Sequence, residues 1–490
     1  MTTITEHTTV GHRGWTLGLA SLGVFMTGLD TLVVATSLPA LRADLGARLG
    51  DLEWTVNAYN LSFACLLLTG AALGDRFGRK RMFAVGLGLF TLASAFAALA
   101  PDIGTLIAAR GLQGAGAAII MPLTLTLISQ AFPVEKRGAA IGMWGGVTGT
   151  AVAVGPLVGG AVIDGFDWHW IFWINVPVGL VLLPLALSSR LTESHGPRPQ
   201  LDITGLILVA TGFFGLTWGL IRANTLGWSS GEVLGSTVAG VVVVGLFLGY
   251  EARSRTAMLS FSLFRSRGFS AINGVSFAMW AALFGALFLM AQFLQTGLGD
   301  GPLEAGLKIL PWTGAPVVIA PIAGALADRY GNRPFLVAGL ALQAIGLGWV
   351  AAIARPGMGY GELALALGVA GIGISLVFPT AANAVVGSVP AHEMGIAAGT
   401  NSAVREIGGV FGIAVLAAVF ARQGSLRSPQ EFVAGFTAAI WVAAGFSGVG
   451  VLAALLVPAR AGSPASTSAS EPLAPGTGPT DQFAPRPVSL

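Results

Sequence analysis

Fourteen mainly apolar stretches, each near the ~20 residues an α-helix needs to cross a bilayer, divide this 490-residue chain and confine its ions to the gaps between them. Only 10% of the residues are charged against 54% hydrophobic, and mean hydropathy is +0.77. A soluble globule is excluded. An outer-membrane barrel would instead show ~10-residue segments of alternating polarity, and the runs here are unbroken. The expected fold class is therefore an all-α membrane protein.

Hydropathy and helix breakers place spans near 15–38, 53–73, 82–100, 103–131, 138–163, 170–188, 203–221, 233–250, 269–294, 303–327, 334–354, 362–387, 394–421 and 433–457. The first run is too long for a signal-peptide core and lacks a cleavage pattern, so it is expected to remain as a span. Basic residues set the orientation. One side holds Arg13, Arg76, Arg79, Lys80, Arg81, Lys136, Arg137, Arg190, Arg198, Arg253, Arg255, Arg265, Arg267, Arg329, Arg333, Arg460 and Arg486, seventeen of the 26. The other holds Arg42, Arg48, Arg222, Arg355, Arg422 and Arg427, while Arg110, Lys308 and Arg405 lie within spans. Both termini are expected in the cytoplasm. The pI near 9.3 follows from this loop asymmetry, so no nucleic-acid partner is expected. The lone Cys65 sits in an apolar run and reads as a small core residue.

A knot of charge, Leu73-Gly74-Asp75-Arg76-Phe77-Gly78-Arg79-Lys80-Arg81, joins the second and third spans, and Ala327-Asp328-Arg329-Tyr330-Gly331-Asn332-Arg333 repeats it in altered form. Asp75 and Asp328 are 253 residues apart, more than the roughly 200 that six helices with short loops need. The surplus fits an added helix pair. The expected organisation is a cytoplasmic N-terminus (1–14), a six-helix bundle (15–190), a two-helix insertion (191–252), a second six-helix bundle (253–460) and a disordered, Ser/Pro/Gly-rich cytoplasmic tail (461–490).

Four motifs, in order, resemble those of the major facilitator superfamily and its fourteen-helix drug:proton antiporter branch. Ala71, Leu73, Gly74, Asp75, Arg76, Gly78, Arg79 and Lys80 match the superfamily's loop between helices 2 and 3, with Ala71 where Gly is usual. Leu29-Asp30 and Leu38-Pro39 match the branch's first-helix pattern, although Leu32 and Ala35 replace common Thr and Asn. Arg110-Gly111-Leu112-Gln113-Gly114-Ala115-Gly116-Ala117 resembles the helix 4 motif associated with proton coupling. Gly155-Pro156-Leu157-Val158-Gly159-Gly160, with Gly142, Gly145, Gly146 and Gly149 upstream and Ala151 in place of one glycine, resembles the helix 5 motif of exporters. The resemblance implies the major facilitator fold, two six-helix bundles plus two additional helices.

Asp30 lies ~20 Å from the inner end of its helix at ~1.5 Å per residue, and Arg110, seven residues into a helix entering from the other side, reaches a similar depth. An unpaired charge there costs at least about 3 kcal/mol, so the two pair, face water or, for the acid, take up a proton. A proton-linked Asp30 and a permanent structural pair are both open. Arg405 and Glu406 stand near mid-membrane on adjacent positions ~100° apart. Gly408, Gly409 and Gly412 suggest that the Arg405 side packs on protein, leaving Glu406 as the candidate cavity carboxylate. The charged loops (Asp75, Arg76, Gly78, Arg79, Lys80; Asp328, Arg329, Arg333) are either positive-inside anchors or a conformational switch in which carboxylate and guanidinium pair in one state and separate in the other. Gly155, Pro156, Gly159 and Gly160 form either a gate or close packing. Candidates for a substrate cavity are Asn57, Gln292, Gln295, Asn383 and Asn401, with Trp280, Phe25, Trp144 and Phe378.

None of Lys80, Lys136 and Lys308 follows a phosphate loop, and no metal-ligand cluster or nucleophile–base set occurs, so no nucleotide, metal, cofactor or enzymatic activity is expected. Transport is then secondary. One charge crossing the membrane releases about 2.3 kcal/mol per 100 mV, against about 1.4 kcal/mol for each tenfold concentration step. The expectation is a monomeric, proton-driven exporter of small amphiphilic or cationic organic compounds in a bacterial cytoplasmic membrane. A dedicated exporter of one natural product, or a metabolite importer, are the alternatives.

Overall fold

The computed structural model describes residues 10–188, 191, 193–195, 202–227, 229–254, 261–389 and 394–458. The expected tail 461–490, the first nine residues and the Asp328 side chain lie outside the described residues. The first half comprises α1 (Val10–Leu45), α2 (Leu49–Phe77), α3 (Arg79–Ala98), α4 (Ile103–Ala131), α5 (Val134–Gly165), α6 (Trp170–Trp173) and α7 (Asn175–Leu187). A pair, α8 (Ile203–Leu226) and α9 (Gly231–Glu251), follows. Then come α10 (Phe261–Phe264), α11 (Arg267–Gln292) with a π-helical turn (Phe293–Gly297), α12 (Pro302–Thr313), α13 (Ala315–Tyr330), α14 (Asn332–Ile353), α15 (Tyr360–Gly387), α16 (Met394–Gln423) and α17 (Pro429–Leu455). Among the described residues, twelve spans are long and apolar enough to cross a membrane, and fourteen if α2 and α5, bent by 50° and 40°, each count as one.

Side-chain caps explain five helix starts. Asp102, Asp202, Ser230, Ser266 and Ser428 each accept a backbone N–H from the first turn they precede. At Asp102 the Thr105 backbone N–H and hydroxyl hold the carboxyl below its usual range. Two expected spans are broken. The span near 170–188 is α6 and α7, parted at Ile174, and the one near 303–327 is α12 and α13, parted at Gly314. Pro177 and Pro316 come within the next turn; lacking an N–H, proline fits a first turn and not a helix interior. The first span runs to Leu45 because Leu38 and Leu41 are fully buried and carry it past Pro39.

Helix pairing repeats between the halves. α3 packs on α4 and α7, α1 on α5, and α2 on α4; correspondingly α14 packs on α15 and α17, α11 on α16, and α12 and α13 on α15. Contacts across the halves are reciprocal, with α5 on α12 and α16 on α2. Gly78 (φ 106°) and Gly331 (φ 85°) occupy equivalent turns, a backbone conformation that a side chain would strain. The α8–α9 pair joins through α8, whose Phe214 and Trp218 lie 5.4 and 6.1 Å from the Trp54 ring of α2.

The halves are clasped at the end remote from Asp75. A Cβ at Gly160 would strike the Pro302 carbonyl, and one at Gly306 the Pro156 carbonyl. Gln295 Nε2 donates to Thr36 O at 2.8 Å and Arg42 Nη1 to Leu426 O at 3.2 Å, both across the halves. Nearer the Asp75 end of α5, side chains at Gly145, Gly146 or Gly149 would meet nothing within 4 Å. Proline 156 removes one backbone hydrogen bond and crowds the carbonyl four residues earlier, where α5 bends.

Within the first half, Gly70 and not position 71 approaches α4, at the Ala118 carbonyl and Ile119 Cα. Alanine at 71 is therefore accommodated. Gly70→Ala should cost about 1–3 kcal/mol by overpacking, visible as a lower melting temperature in detergent, while Gly145→Ala should melt no lower than wild type.

Candidate functional site

At the centre of the first half, one carboxylate of α1 gathers three donors from two other helices, α4 and α7. Asp30 of α1 is 2% exposed and Arg110 of α4 is fully buried. Arg110 Nη1 donates to Asp30 Oδ2, while Asn175 Nδ2 (2.7 Å) and Gln113 Nε2 (3.2 Å) donate to Oδ1. Arg110 Nη1 also reaches Gln113 Oε1 at 2.9 Å, and its Nε donates to the Thr55 carbonyl at 3.1 Å. Gln113 Nε2 extends the network to Ser94 Oγ at 2.7 Å. The Tyr59 ring lies 4.4 Å from the Arg110 Cζ, with the Tyr59 hydroxyl donating to Thr27 O. The network thus links α1, α2, α3, α4 and α7. An ionised carboxylate is acceptor-only, so protonating Asp30 would convert one acceptor into a donor and sever part of this set.

The second half is built differently. Gly408 and Gly412 of α16 lie against the backbone of α11 at Phe277 and Ala281. On the same side Arg405 is half-buried, its Cζ 4.8 Å from the Trp280 ring and 6.0 Å from Phe378. Glu406 is 7% exposed, and among the described residues it makes no hydrogen bond or ion pair. One turn on from it, Val410 packs on Leu61 and Cys65, which turns Glu406 toward α2.

The remaining cavity candidates divide. Asn57 is fully buried with neither amide atom hydrogen-bonded, as is Asn60, which the sequence reading passed over. Asn401 bridges helices, donating to Asn273 Oδ1 at 3.1 Å and Ser276 Oγ at 2.9 Å. Gln292 donates back to Phe288 O within its own helix, Gln295 clasps Thr36, and Asn383 is exposed. Trp144 Nε1 donates to Thr124 Oγ1. These residues do not form one cluster.

In the charged loop, Arg79 pairs with Asp75 four residues earlier, at 2.6 Å from Nη2 and 2.8 Å from Nε. The loop's other partner is Glu193, after α7, whose oxygens accept the backbone N–H groups of Lys80 (3.0 Å) and Arg81 (3.3 Å) at the start of α3. Lys80 Nζ donates to Ser188 O at 2.7 Å. Arg76 lies exposed beside Phe77, as Arg329 does beside Tyr330, while Arg333 is half-buried.

Residues 20–300 and 274–489 each match the sequence profile of the Major Facilitator Superfamily. The chain belongs to this superfamily. Among its relatives, the tetracenomycin C resistance and export protein of Streptomyces glaucescens is 35% identical over 412 residues, 84% of this chain and 76% of that one. The multidrug resistance protein Stp of Mycobacterium tuberculosis (strain CDC 1551 / Oshkosh) is 34% identical over 407 residues, covering 83% and 75%. A solved POT family transporter in complex with 5-aminolevulinic acid superimposes with TM-score 0.69 over 92% of this chain and 96% of its own, at 13% identity, a likeness of fold alone.

As a member of the superfamily, the chain carries its most ionic buried cluster in the first half. Sequence reasoning found Asp30 and Arg110 but missed Asn175, Thr55, Ser94 and Glu193. For Asn175 and Ser94 the available signal was a polar side chain in an otherwise apolar run, whereas Thr55 contributes a backbone carbonyl and Glu193 lies in a polar connection. Arg110→Met would leave Asp30 buried without its counter-ion, at a cost of about 3–5 kcal/mol. Membrane yield and detergent melting temperature should fall in Arg110→Met and recover partly in Asp30→Asn/Arg110→Met. Glu193→Ala, which uncaps α3, should cost only about 0.5–2 kcal/mol on the same measurements.

Proposed function

We propose that the protein is a proton-driven exporter of small organic compounds, drugs or antibiotics among them, in a bacterial cytoplasmic membrane. The supporting observation is the buried Asp30 network: a titratable group deep in the membrane, joined to four other helices, whose protonation state changes which of them it holds. With the basic-rich face in the cytoplasm, both termini lie inside and the clasp formed by α5, α12, Gln295 and Arg42 closes the outer mouth. The open α5 glycines then face the cytoplasm. In this reading the two six-helix halves rock about a central site, with the α8–α9 pair as an added element. Glu406 is the second proton-linked group, and the charged loops report which way the cavity opens. Names of the relatives, a resistance and export protein and a multidrug resistance protein, support export over import. The tetracenomycin relative, named for one compound, favours a second reading as a dedicated exporter of one natural product.

Expression in a drug-sensitive host lacking its own pumps should raise resistance to at least one compound class, and a protonophore should abolish the accompanying efflux. Asp30→Asn should insert normally and lose that resistance. Undiminished efflux in Asp30→Asn would remove Asp30 from proton coupling. Resistance to one compound out of a broad panel would select the dedicated exporter.

A further inference from the structure

Arg405 is a mid-span cation to which the protein gives almost no acceptor. Its Nε is buried without a hydrogen-bond partner, and its Nη2 reaches only the Ser402 hydroxyl, at 3.5 Å. Among the described residues it has no ion pair, and Glu406, the next residue, projects ~100° away toward α2. Beside it the Trp280 indole Nε1 is likewise buried without an acceptor. The surrounding surfaces are aromatic: Trp280 stacks on Phe284 at 4.9 Å and meets Phe378 at 6.4 Å. Two neighbouring buried donors, one of them charged, are costly unless an acceptor arrives from outside the chain.

We propose that this corner of α11, α15 and α16 binds the acidic group of a planar aromatic substrate. An aryl carboxylate would accept from Arg405 and from Trp280 Nε1, with its ring against the neighbouring aromatic faces. The proposal rests on the exporter reading for its physiological meaning, and it commits to anions where the sequence suggested amphiphilic or cationic compounds.

The outer mouth points the same way. Beside the clasp that closes it, a cavity of about 570 Å³ open to the surface is lined by Arg42, Arg48, Gln292 and Thr296 among others, with no acid among its lining residues. The acids nearest in sequence are engaged elsewhere: Asp44 accepts from Trp168 Nε1 at 2.8 Å, and Asp51 from the Arg48 backbone N–H at 2.9 Å. Arg42 makes only its bond to the Leu426 carbonyl, and neither arginine has an ion-pair partner among the described residues. An anion leaving the centre therefore meets basic side chains in the lining of this mouth, the carboxylates of Asp44 and Asp51 lying outside that lining.

Equilibrium binding to the purified full-length protein in detergent tests the proposal without requiring transport. Three probes share one ring system: 2-naphthoate, its methyl ester and 2-naphthylmethylammonium. Wild type should bind the acid about tenfold or more tighter than the ester or the cation, the margin expected of a charged hydrogen-bonded pair. Arg405→Gln should erase that margin and leave ester binding unchanged, and Arg405→Lys should keep part of it. Should Arg405→Gln fail to insert, Trp280→Phe, which removes one donor and keeps an aromatic ring, should still weaken the acid several-fold relative to the ester. Absence of acid binding, a preference for the cation, or an undiminished acid preference in Arg405→Gln or Trp280→Phe would overturn the proposal. A protein that binds the acid yet exports nothing would instead sink the exporter reading and leave the site standing.

Discussion

The buried pair of Asp30 and Arg110 is the interaction on which the first half depends. Withdrawing both ions from water costs several kcal/mol each, and their attraction offsets this only when the remaining polar atoms are also satisfied. That requirement explains why Gln113, Asn175, Thr55 and Ser94 surround them, and why those residues come from five different helices when the pair is included. Each helix contributes a polar atom that would be a liability in lipid on its own. Together they fix the mutual rotation of α1, α2, α3, α4 and α7 more narrowly than apolar packing could. Membrane helices gain little from apolar contact, since lipid is as apolar as the neighbouring helix.

The second half reverses this arrangement. Its helix bridge through Asn401, Asn273 and Ser276 is neutral, and its charges, Arg405 and Glu406, have no ion-pair partner among the described residues. Glycine contacts supply the register instead, with Gly408 and Gly412 on α11, Gly339 and Gly373 between α14 and α15, and Gly371 on the end of α12. A duplicated scaffold thus holds one half with Asp30 and Arg110 paired to each other, only Arg110 Nη2 lacking a partner, and the other with Arg405 and Glu406 outside any ion pair among the described residues. The reciprocal contacts of α5 with α12 and α16 with α2 join these unlike halves along two seams.

Much of the fold was legible because hydrocarbon leaves a backbone few choices: every N–H must be satisfied within its own helix, so apolar length translates into spans. The matched depth of Asp30 and Arg110, which made pairing one of their open outcomes, was legible from helix length, and the duplication from the two charged loops, which share a left-handed glycine turn. What escaped had other causes. Breaks at Ile174 and Gly314 leave hydropathy unchanged and show only in Pro177 and Pro316. The partner of the charged loop, Glu193, lies more than a hundred residues away in a polar connection without periodicity. Adjacent positions on one helix, Arg405 and Glu406, reveal that they diverge but not which way each turns. The expectation that the Arg405 side packs on protein held for the glycines, yet that protein surface is an aromatic wall with donors to spare.

The charge of the substrate decides how strongly the membrane potential can drive export. A monovalent cation exchanged for one proton moves no net charge, so only the pH gradient acts on it. A neutral compound exchanged for one proton moves a single charge inward, releasing about 2.3 kcal/mol per 100 mV. An anion leaving as a proton enters moves the equivalent of two, about 4.6 kcal/mol per 100 mV on the same scale. On the proposed orientation and with the proposed anionic substrate, the arginines at the centre and at this mouth, with no acid among the cavity's lining residues, suit a transporter that uses the potential twice per cycle. In the proposed cycle Asp30 and Glu406 carry protons apart from the anion's path: Asp30 is enclosed by its hydrogen-bond network in the first half, and Glu406 turns from Trp280 toward α2.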